Sequence, residues 1–336
     1  MSALLIVEEP GLGVTAQDFG RPGYRRLGVP ISGALDAFLL AAAQALAGAP
    51  AGSAGLEVLL TGPILRVEAG AVRLGLAGAL DVLVTRADGS AQNFNGWRSI
   101  LLQPGDRAAI RLRRAPAYVC FSGGLLLPPA LASRSCYPRA GLPGLAGRPL
   151  ARGDFLPCEQ AMGENLQAPP FQHDDGPIRF IAGPQANSFD ASAMPAFCAA
   201  DWRVTGDFDR MGMRLAGPAL LHGPAGAGIV SDGVTPGAIQ VPGDGQPIVL
   251  LNDCQTSGGY AKIGCVIAAD LPRLAHARPG DALRFQQVEL AEAASALRSL
   301  RRRFALWRQS PHPVKEGLDA AKLWTANLIS GATNGG

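Results

Sequence analysis

Short apolar runs separated by glycine and proline are the feature that most constrains the fold of this chain. The 336 residues include 43 glycines and 27 prolines, and no Gly-X-Y period appears. Apolar runs between turn-forming residues are typical of many short strands joined by tight turns. A chain of this length can bury a large core and form two domains. We therefore predict a mainly β protein with a few helices.

Two segments depart from the strand pattern and predict helices. Residues 37–47 are apolar nearly all round, which indicates a buried helix with Asp36 as its N-cap and Gly48 as its C-terminal stop. Residues 288–308 carry an apolar stripe from Leu290 to Trp307, with arginines largely off it. We interpret them as an amphipathic helix docked on a barrel with a solvated basic face, in preference to a site for an anionic partner.

Domain organisation follows from a change in composition near the middle of the chain. Residues 157–177 are polar and rich in proline, and we interpret them as a linker. The prediction is an N-terminal β domain over 1–165 and a C-terminal β domain with the terminal helix over 175–310. A tail with one short helix near residues 318–328 then occupies 311–336. A Gly-Pro strand pair and a Pro-Gly-Asp hairpin occur in both halves, which suggests related domains.

Charge and cysteine content bound the class of protein. The formal net charge of +3 is too small to indicate nucleic acid as a partner. The N-terminus is too short and too acidic for a signal peptide, and no apolar run reaches the about 18 residues of a membrane span. The six cysteines include no C-x-x-C pair. We expect a cytoplasmic protein that has no membrane partner and whose thiols are mostly core fillers.

The stretch 250–264 concentrates the polar chemistry of the chain. Apolar runs flank it, so we predict two buried strands joined by a loop. This loop exposes backbone N–H groups, because Gly258 and Gly259 allow close approach and positive φ. Lys262 is one of only three lysines in a chain that otherwise uses arginine. We therefore interpret it as a residue chosen for its compact ammonium, in preference to an ordinary solvated loop lysine. Such a loop predicts a site for an anion, a phosphate or a developing oxyanion.

Several familiar catalytic motifs are absent. The sequence has no P-loop, no G-x-S-x-G and no H-E-x-x-H. The four histidines are scattered without metal-ligand spacing, so we predict no metal site. The remaining polar clusters lie in turns and supply acids, amides, hydroxyls and cations, which suits electrostatic stabilisation of an oxyanion in an amide, urea or carboxylate substrate.

These segments carry a resemblance to one known family. The chain resembles the allophanate hydrolase subunit 2 family, also called the biotin-dependent carboxyltransferase family, over roughly residues 3–287. That family includes the C subunit of bacterial 5-oxoprolinase, KipA-like proteins and the carboxyltransferase domain of urea carboxylase. The matching motifs include Gln17-Asp18, Gly20-Arg21-x-Gly23, Gly28-Val-Pro-x-Ser-Gly-Ala-x-Asp36, Leu56-Glu57, Asp209-Arg-Met-Gly-x-Arg-Leu215 and Gln255-Thr-x-Gly-Gly-Tyr-x-Lys-Ile263.

The resemblance implies two cyclophilin-like β-barrel domains with a site between them. It implies a hetero-oligomer with an allophanate hydrolase subunit 1 (KipI-like) partner and, for the stand-alone bacterial form, a LamB/YcsF-type partner. The implied reaction is ATP-dependent opening of 5-oxoproline to glutamate, with this chain inactive alone. Two positions depart from the family: Cys254 stands where an arginine is usual, and His276 where a glutamine is usual.

Residue roles on this hypothesis follow from residue type. We expect a catalytic group formed by Lys262, Asp36, Arg210 and Asp253, in which the cations stabilise phosphoryl or carboxylate charge and Asp36, Asp18 or Asp253 acts as the base. The predicted substrate-binding residues are Gln17, Asp18, Arg21, Ser32, Gly33, Gln240, Gln255, Thr256, Gly258, Gly259 and Tyr260.

Two other interpretations stay open. One is carboxyl transfer to urea or another amide from biotin, which would need a separate carrier because the chain has no Met-Lys-Met motif. The other is a non-catalytic partner that binds a KipI-like regulator. A cyclophilin-like shape does not by itself indicate prolyl isomerase activity.

Overall fold

A computed structural model describes residues 2–161 and 163–314. Strands hold 39% of the residues and helices 16%, which confirms the predicted mainly β fold. The short helix predicted near 318–328 lies outside the described residues, as do Lys315 and Lys322. The described residues form four α-helices, α1 (Ala37–Ala47), α2 (Ala193–Ala199), α3 (Leu271–Leu274) and α4 (Leu290–Trp307).

The first half of the chain folds into a nearly closed, barrel-shaped antiparallel sheet. Its strand path is β10-β7-β5-β8-β4-β1-β9, and β2, β3 and β6 pair beside it. Alternate residues point inward and form a core cluster that includes Leu5, Leu65 and Val82. The strands are β1 (Ser2–Glu9), β2 (Thr15–Gln17), β3 (Gly55–Val58), β4 (Ile64–Ala69), β5 (Val72–Thr85), β6 (Ala91–Asn95), β7 (Arg98–Leu102), β8 (Arg107–Phe121), β9 (Phe155–Glu159) and β10 (Leu166–Gln167).

The second half forms an eight-stranded sheet and a two-stranded sheet. The larger follows the path β19-β12-β13-β16-β15-β18-β11-β20, and the smaller pairs β14 with β17. Only β11 and β20 run parallel among the described pairs of these sheets. The strands are β11 (Ile178–Ala182), β12 (Trp202–Phe208), β13 (Gly212–Ala216), β14 (Gly228–Gly233), β15 (Ala238–Gln240), β16 (Ile248–Leu250), β17 (Ser257–Tyr260), β18 (Lys262–Val266), β19 (Ala282–Leu283) and β20 (Phe285–Gln287).

The predicted linker 157–177 is partly wrong, because it contains strand residues. The end of β9 pairs with β1, where Pro157 opposes Leu4, and Gln167 of β10 pairs with Arg98. The last described strand, β21 (His312–Pro313), pairs with the other side of β10. The division into domains at 165 and 175 stays a prediction.

Helices α1 and α4 pack in a hydrophobic core of their own, which lies between the two large sheets. The Asp36 Oδ1 atom accepts the N–H groups of Phe38 and Leu39, at 3.0 and 3.1 Å, which confirms the predicted N-cap. Gly48 ends α1 with φ of 69°. Phe304 of α4 contacts Phe38 edge-on at 5.2 Å between ring centroids. This core also takes apolar residues from both sheets, such as Cys120 and Ile267.

The amphipathic helix is confirmed with one correction. Leu300, Phe304 and Trp307 of α4 are buried, and its arginines lie mostly in solvent. The sequence places Leu290 in the buried stripe, but its side chain is 71% exposed, because the first turn of α4 projects beyond the core.

The Gly-rich stretch before Lys262 is more regular than the predicted loop. Gly258 and Gly259 belong to β17, which pairs with β14, and neither has positive φ. The expectation of a positive-φ loop is therefore wrong, because strand pairing already uses the backbone of this segment. A Cβ atom at Gly258 would lie 2.5 Å from the Gln240 Nε2 atom, so a larger residue there would displace the end of the Gln240 side chain.

All six cysteines are free thiols, and four of them are buried, as predicted for core fillers. Burial raises the pKa of the Cys158 thiol to about 12. Within the described residues, no helix is both long and apolar enough to cross a lipid bilayer.

Candidate functional site

The turn between β12 and β13 places Arg210 against the first sheet. Asp209 opens this turn, and its Oδ1 atom accepts the N–H groups of Met211 and Gly212 at 2.7 and 3.2 Å. The Arg210 carbonyl accepts the N–H of Asp253 at 2.9 Å, which fixes the turn to the chain that follows β16. The side chain of Arg210 is thereby held in place, with 11% of it exposed.

The Arg210 guanidinium bridges two carboxylates that come from different sheets. Its Nε atom lies 2.8 Å from Asp253 Oδ2, and its Nη1 atom donates to Glu57 of β3. Its Nη2 atom donates to the Gly33 carbonyl at 2.6 Å. Burial alone would lower the pKa of Arg210, but the two carboxylates raise it well above its usual value. This buried ion triad joins the two halves of the molecule.

A line of hydrogen bonds extends the triad through the interior. Glu57 Oε2 accepts the Tyr118 hydroxyl at 2.6 Å and the Leu35 N–H at 2.8 Å. The Tyr118 oxygen in turn accepts the N–H of Asp36 at 2.9 Å. Burial and the neighbouring carboxylates raise the pKa of Tyr118 well above 10, so the hydroxyl stays protonated and can donate to Glu57. Asp36 is therefore connected to Arg210 without touching it.

The predicted residues of the 17–36 segment pack beside this triad. Gln17 donates to the Cys136 carbonyl at 3.1 Å, and the Asp18 carboxylate accepts from the Ser133 and Ser135 hydroxyls at 2.7 and 2.5 Å. The Ser32 N–H donates to the carbonyl of residue 252, one residue before Asp253. The last of these contacts brings Ser32 close to Asp253 of the triad.

Arg21 is a fully buried cation with unused donors. Its Nη2 atom donates to the Ser135 carbonyl, but its Nε and Nη1 atoms have no hydrogen-bond partner among the described residues. Burial lowers the pKa of Arg21, and the charges of Asp18 and Asp253 partly offset that effect. Arg21 thus supplies N–H donors near Asp253 that an anion could use.

Two adjoining cavities form a cleft beside the triad. The first, of about 350 Å³, is lined by Arg210, Asp253 and Tyr137, and we call it the Arg210 cavity. The second, of about 620 Å³, is lined by Gln240, Gln255 and Tyr260, and we call it the Tyr260 cavity. Four predicted substrate or catalytic positions therefore lie on one cleft with Arg210. The residues that line both cavities are Arg139, Phe208, Asp209 and Met211.

Lys262 occupies a position that the sequence does not predict. Its ammonium is buried, donates to Asp232 Oδ2 at 2.7 Å and to the Gly233 carbonyl at 3.1 Å, and ties β18 to β14. An ordinary solvated lysine is thus excluded, but Lys262 lines neither the Arg210 cavity nor the Tyr260 cavity. Thr256 is half-buried near Arg25, which donates to the neighbouring Gln255 carbonyl at 3.2 Å.

The histidines are not all scattered in space, which corrects the sequence interpretation. The Nε2 atoms of His173 and His276 both reach Asp36 Oδ2, at 2.7 and 2.8 Å. Burial alone would raise the pKa of Asp36, but the hydrogen bonds from the two imidazoles hold it well below its usual value. The two histidines also line a separate cavity of about 530 Å³, which we call the histidine cavity.

Four residues of these networks have no role predicted from the sequence: Glu57, Tyr118, His173 and His276. Glu57 has a local signal, because a lone acid inside an apolar strand needs a partner when buried. Tyr118 and the two histidines have no such local signal in the sequence, since their hydrogen-bond partners lie 61 to 240 residues away.

Replacing Tyr118 by phenylalanine is expected to lower the free energy of unfolding by about 1–3 kcal/mol, because a buried N–H and a buried carboxylate each lose a partner. Urea unfolding monitored by circular dichroism measures the effect. Tyr137→Phe is the matched control: its hydroxyl makes no hydrogen bond among the described residues, so a change within about 0.5 kcal/mol is expected. Equal midpoints for the two variants would contradict the line of hydrogen bonds.

Most of both large sheets, together with the ion triad and most residues of the cleft, falls within the match to one known family. The model of the family described as carboxyltransferase domain, subdomain A and B, matches residues 27–287. The chain belongs to this family, which confirms the resemblance found in the sequence.

Individual relatives sharpen the comparison. The chain is 34% identical over 312 residues to the 5-oxoprolinase C subunit of Escherichia coli, covering 91% of this chain and 98% of that protein. The crystal structure of TTHA0988 is 33% identical, with a TM-score of 0.74, and covers 84% of this chain. The Kluyveromyces lactis urea amidolyase structure is 24% identical, with a TM-score of 0.80 over 94% of this chain. This chain spans 56% of the TTHA0988 chain and 20% of the urea amidolyase.

Proposed function

We propose that this chain is the C subunit of an ATP-dependent 5-oxoprolinase. The observation that carries the proposal is the 34% identity to a 5-oxoprolinase C subunit over nearly the full length of both chains. The urea amidolyase match spans only a fifth of that larger protein. The proposed complex adds one protein of the allophanate hydrolase subunit 1 family and one of LamB/YcsF type, with ATP as co-substrate.

The chemistry that such a complex must perform is the opening of a lactam. Amide resonance makes the lactam carbon a poor electrophile, so phosphorylation of its oxygen by ATP creates a leaving group and releases ADP. Water then attacks that carbon and the ring C–N bond breaks, which frees the amine and leaves glutamyl phosphate. A second water hydrolyses this acyl phosphate, so that phosphate leaves and glutamate forms. Developing oxyanion and phosphoryl charge needs fixed donors in a partly dry cleft.

Arg21 and Arg210 are the cations that suit this task in the structure. Arg210 is already compensated by Glu57 and Asp253, so it fixes the carboxylates more than it attracts a new anion. Arg21 keeps unused N–H donors beside Asp253. We assign Arg21 to the substrate carboxylate or phosphoryl group, which requires the cleft to open toward it, because Arg21 is fully buried and lines neither cavity. The residues that would orient the substrate from the neighbouring cavity are Gln240, Gln255 and Tyr260.

Of the three candidate bases, the geometry favours Asp253. Asp18 is held by hydroxyl and backbone donors, and Asp36 caps α1. Both oxygens of Asp253 are held as well, by the Arg210 guanidinium at 2.8 and 3.2 Å, but Asp253 lines the Arg210 cavity and the other two do not. For Lys262 to stabilise charge it must first leave Asp232, whose side chain is half exposed and can be hydrated. Undiminished turnover of Lys262→Ala would remove this residue from the mechanism.

Mixing the chain with the two partner proteins is expected to release glutamate and ADP from 5-oxoproline only when all three proteins and ATP are present. Asp253→Asn should abolish this turnover, because the neutral amide cannot accept the proton of water. Asp244→Asn is the matched control, since its carboxylate is exposed and lies 3.6 Å from Arg214. Absence of glutamate from the assembled three-protein complex would reject the proposal.

A second candidate is carboxyl transfer from a separate biotin carrier to urea or another amide. The family description, a carboxyltransferase domain, favours it. The same mixtures distinguish the two: inhibition by avidin supports carboxyl transfer, and indifference to avidin argues against it. Tight binding to the allophanate hydrolase subunit 1-type partner with no turnover of lactam or urea would instead support the non-catalytic role.

A further inference from the structure

The group formed by Asp36, His173 and His276 is not used by the proposed reaction. One potential ligand atom from each residue is present, and these atoms all lie within 4.8 Å of one another. They come from three separate parts of the chain: the start of α1, the segment before β11 and the residues after α3. Two imidazoles therefore converge on a single carboxylate oxygen that has no exposure to solvent.

Each of the three side chains is held in its orientation by its surroundings. Asp36 uses Oδ1 to cap α1, which leaves Oδ2 to face the histidines. The His173 ring packs edge-on against Phe38 and Phe171, at 6.1 and 5.4 Å between centroids. The backbone N–H of His276 donates to a carbonyl of α3 at 3.1 Å, which fixes this residue at the end of the helix. The Nδ1 atom of His173 is buried and has no hydrogen-bond partner among the described residues, so ring packing, and not a hydrogen bond to the second ring nitrogen, orients His173.

The donor set indicates the class of cation. Two imidazole nitrogens and one carboxylate oxygen suit Zn²⁺ and neighbouring divalent transition metals, whereas Ca²⁺ and Mg²⁺ prefer oxygen ligands only. Zinc bonds of about 2.0–2.1 Å in a tetrahedron would separate the ligand atoms by about 3.3 Å. The nitrogen–oxygen distances of 2.7 and 2.8 Å are shorter, so both rings would retreat by about half an ångström to hold the cation.

Space for this retreat, and for a further ligand, is present on one side. His173 and His276 both line the histidine cavity of about 530 Å³. Their side chains are 11% and 27% exposed, whereas Asp36 is fully buried behind them. Three protein ligands beside an open cavity are the arrangement of zinc sites that keep one position for water or substrate.

We propose that Asp36, His173 and His276 form a binding site for a divalent transition-metal cation of the Zn²⁺ class, open to the histidine cavity. The site is distinct from the Arg210 and Tyr260 cavities and does not depend on the proposed 5-oxoprolinase function. Metal binding and glutamate release can therefore succeed or fail separately.

Cobalt titration of the full-length chain tests the site. After treatment with a chelator and its removal, the protein should bind one Co²⁺ per chain, seen as visible d–d absorption and as calorimetric stoichiometry. Zn²⁺ should displace the Co²⁺ and abolish the absorption. His173→Gln and His276→Gln should each lose the absorption. Each variant keeps only two protein ligands, which bind the cation too weakly at the protein concentration used for the wild-type chain.

His222→Gln is the matched control, since the Nε2 atom of that histidine donates to the Pro242 carbonyl at 3.0 Å, away from the histidine cavity. It should keep both the absorption and the stoichiometry. Circular dichroism of each variant checks that the fold is retained. Absence of Co²⁺ and Zn²⁺ binding by the wild-type chain overturns the proposal without reference to any variant, and so does unchanged binding by His173→Gln and His276→Gln.

Discussion

Arg210→Met is expected to lower the free energy of unfolding by about 3–5 kcal/mol, because it leaves two buried carboxylates without their cation. Glu57 is fully buried and Asp253 is 4% exposed, so water cannot replace the guanidinium without opening the interface between the sheets. Urea unfolding of the isolated chain measures the loss. In the three-protein mixture the same variant should lose glutamate release, since Asp253 then loses its fixed position.

The matched control for this variant is Arg214→Met, in the neighbouring strand β13. Arg214 is 42% exposed and lies 3.6 Å or more from its acidic neighbours, so a change below about 1 kcal/mol is expected. Adding Glu57→Gln to Arg210→Met should restore part of the stability, because it removes one uncompensated charge. Equal losses for Arg210→Met and Arg214→Met would show that the triad is not a stabilising element.

Gly33→Ala is expected to destabilise the fold by about 2–5 kcal/mol, through left-handed backbone strain and a steric clash. Gly33 has φ of +81°, and a Cβ atom there would lie 2.6 Å from the Gly20 N atom and 2.8 Å from the Phe19 carbonyl carbon. Both obstacles are backbone atoms, so no side-chain rotation relieves them. A shift of this segment also moves the Gly33 carbonyl that accepts from Arg210.

Gly28→Ala separates these two contributions. Gly28 has the same φ of +81°, but a Cβ atom there would meet nothing within 4 Å. Only the left-handed strain remains, for which about 1–2 kcal/mol is expected. Unfolding midpoints of the two variants measure the difference, and identical midpoints would show that the contact between residues 20 and 33 imposes no steric constraint.

Local patterns predict α1 and α4 well, whereas the shorter helices α2 and α3 are not among the predicted elements. The bounds and both caps of α1 follow from an uninterrupted apolar run between Asp36 and Gly48, because capping depends on immediate neighbours. The loop predicted before Lys262 is wrong for the opposite reason. Whether Gly258 and Gly259 form a turn or a strand depends on β14, a partner that lies outside any local window.

The candidate site shows the same limit. Arg210 and Asp253 can be predicted because a charged turn between apolar strands is visible locally. Glu57 stands out in the sequence as a lone acid inside an apolar strand, but the sequence does not identify its cation, which lies 153 residues away. The convergence of His173 and His276 on Asp36 joins positions 137 and 240 residues apart, a distance at which one sequence carries no spacing signal.

The path of the chain before and after α4 has a consequence for how the molecule unfolds. This helix begins shortly after β20 of the eight-stranded sheet, and the strand that follows it, β21, pairs with β10 of the barrel-shaped sheet. The Phe304 ring of α4 packs against Phe38 and Phe171 between the two sheets. Unfolding of either sheet therefore removes contacts that α4 and β21 make with the other sheet. The two halves of the molecule are thus coupled in unfolding through this helix and strand.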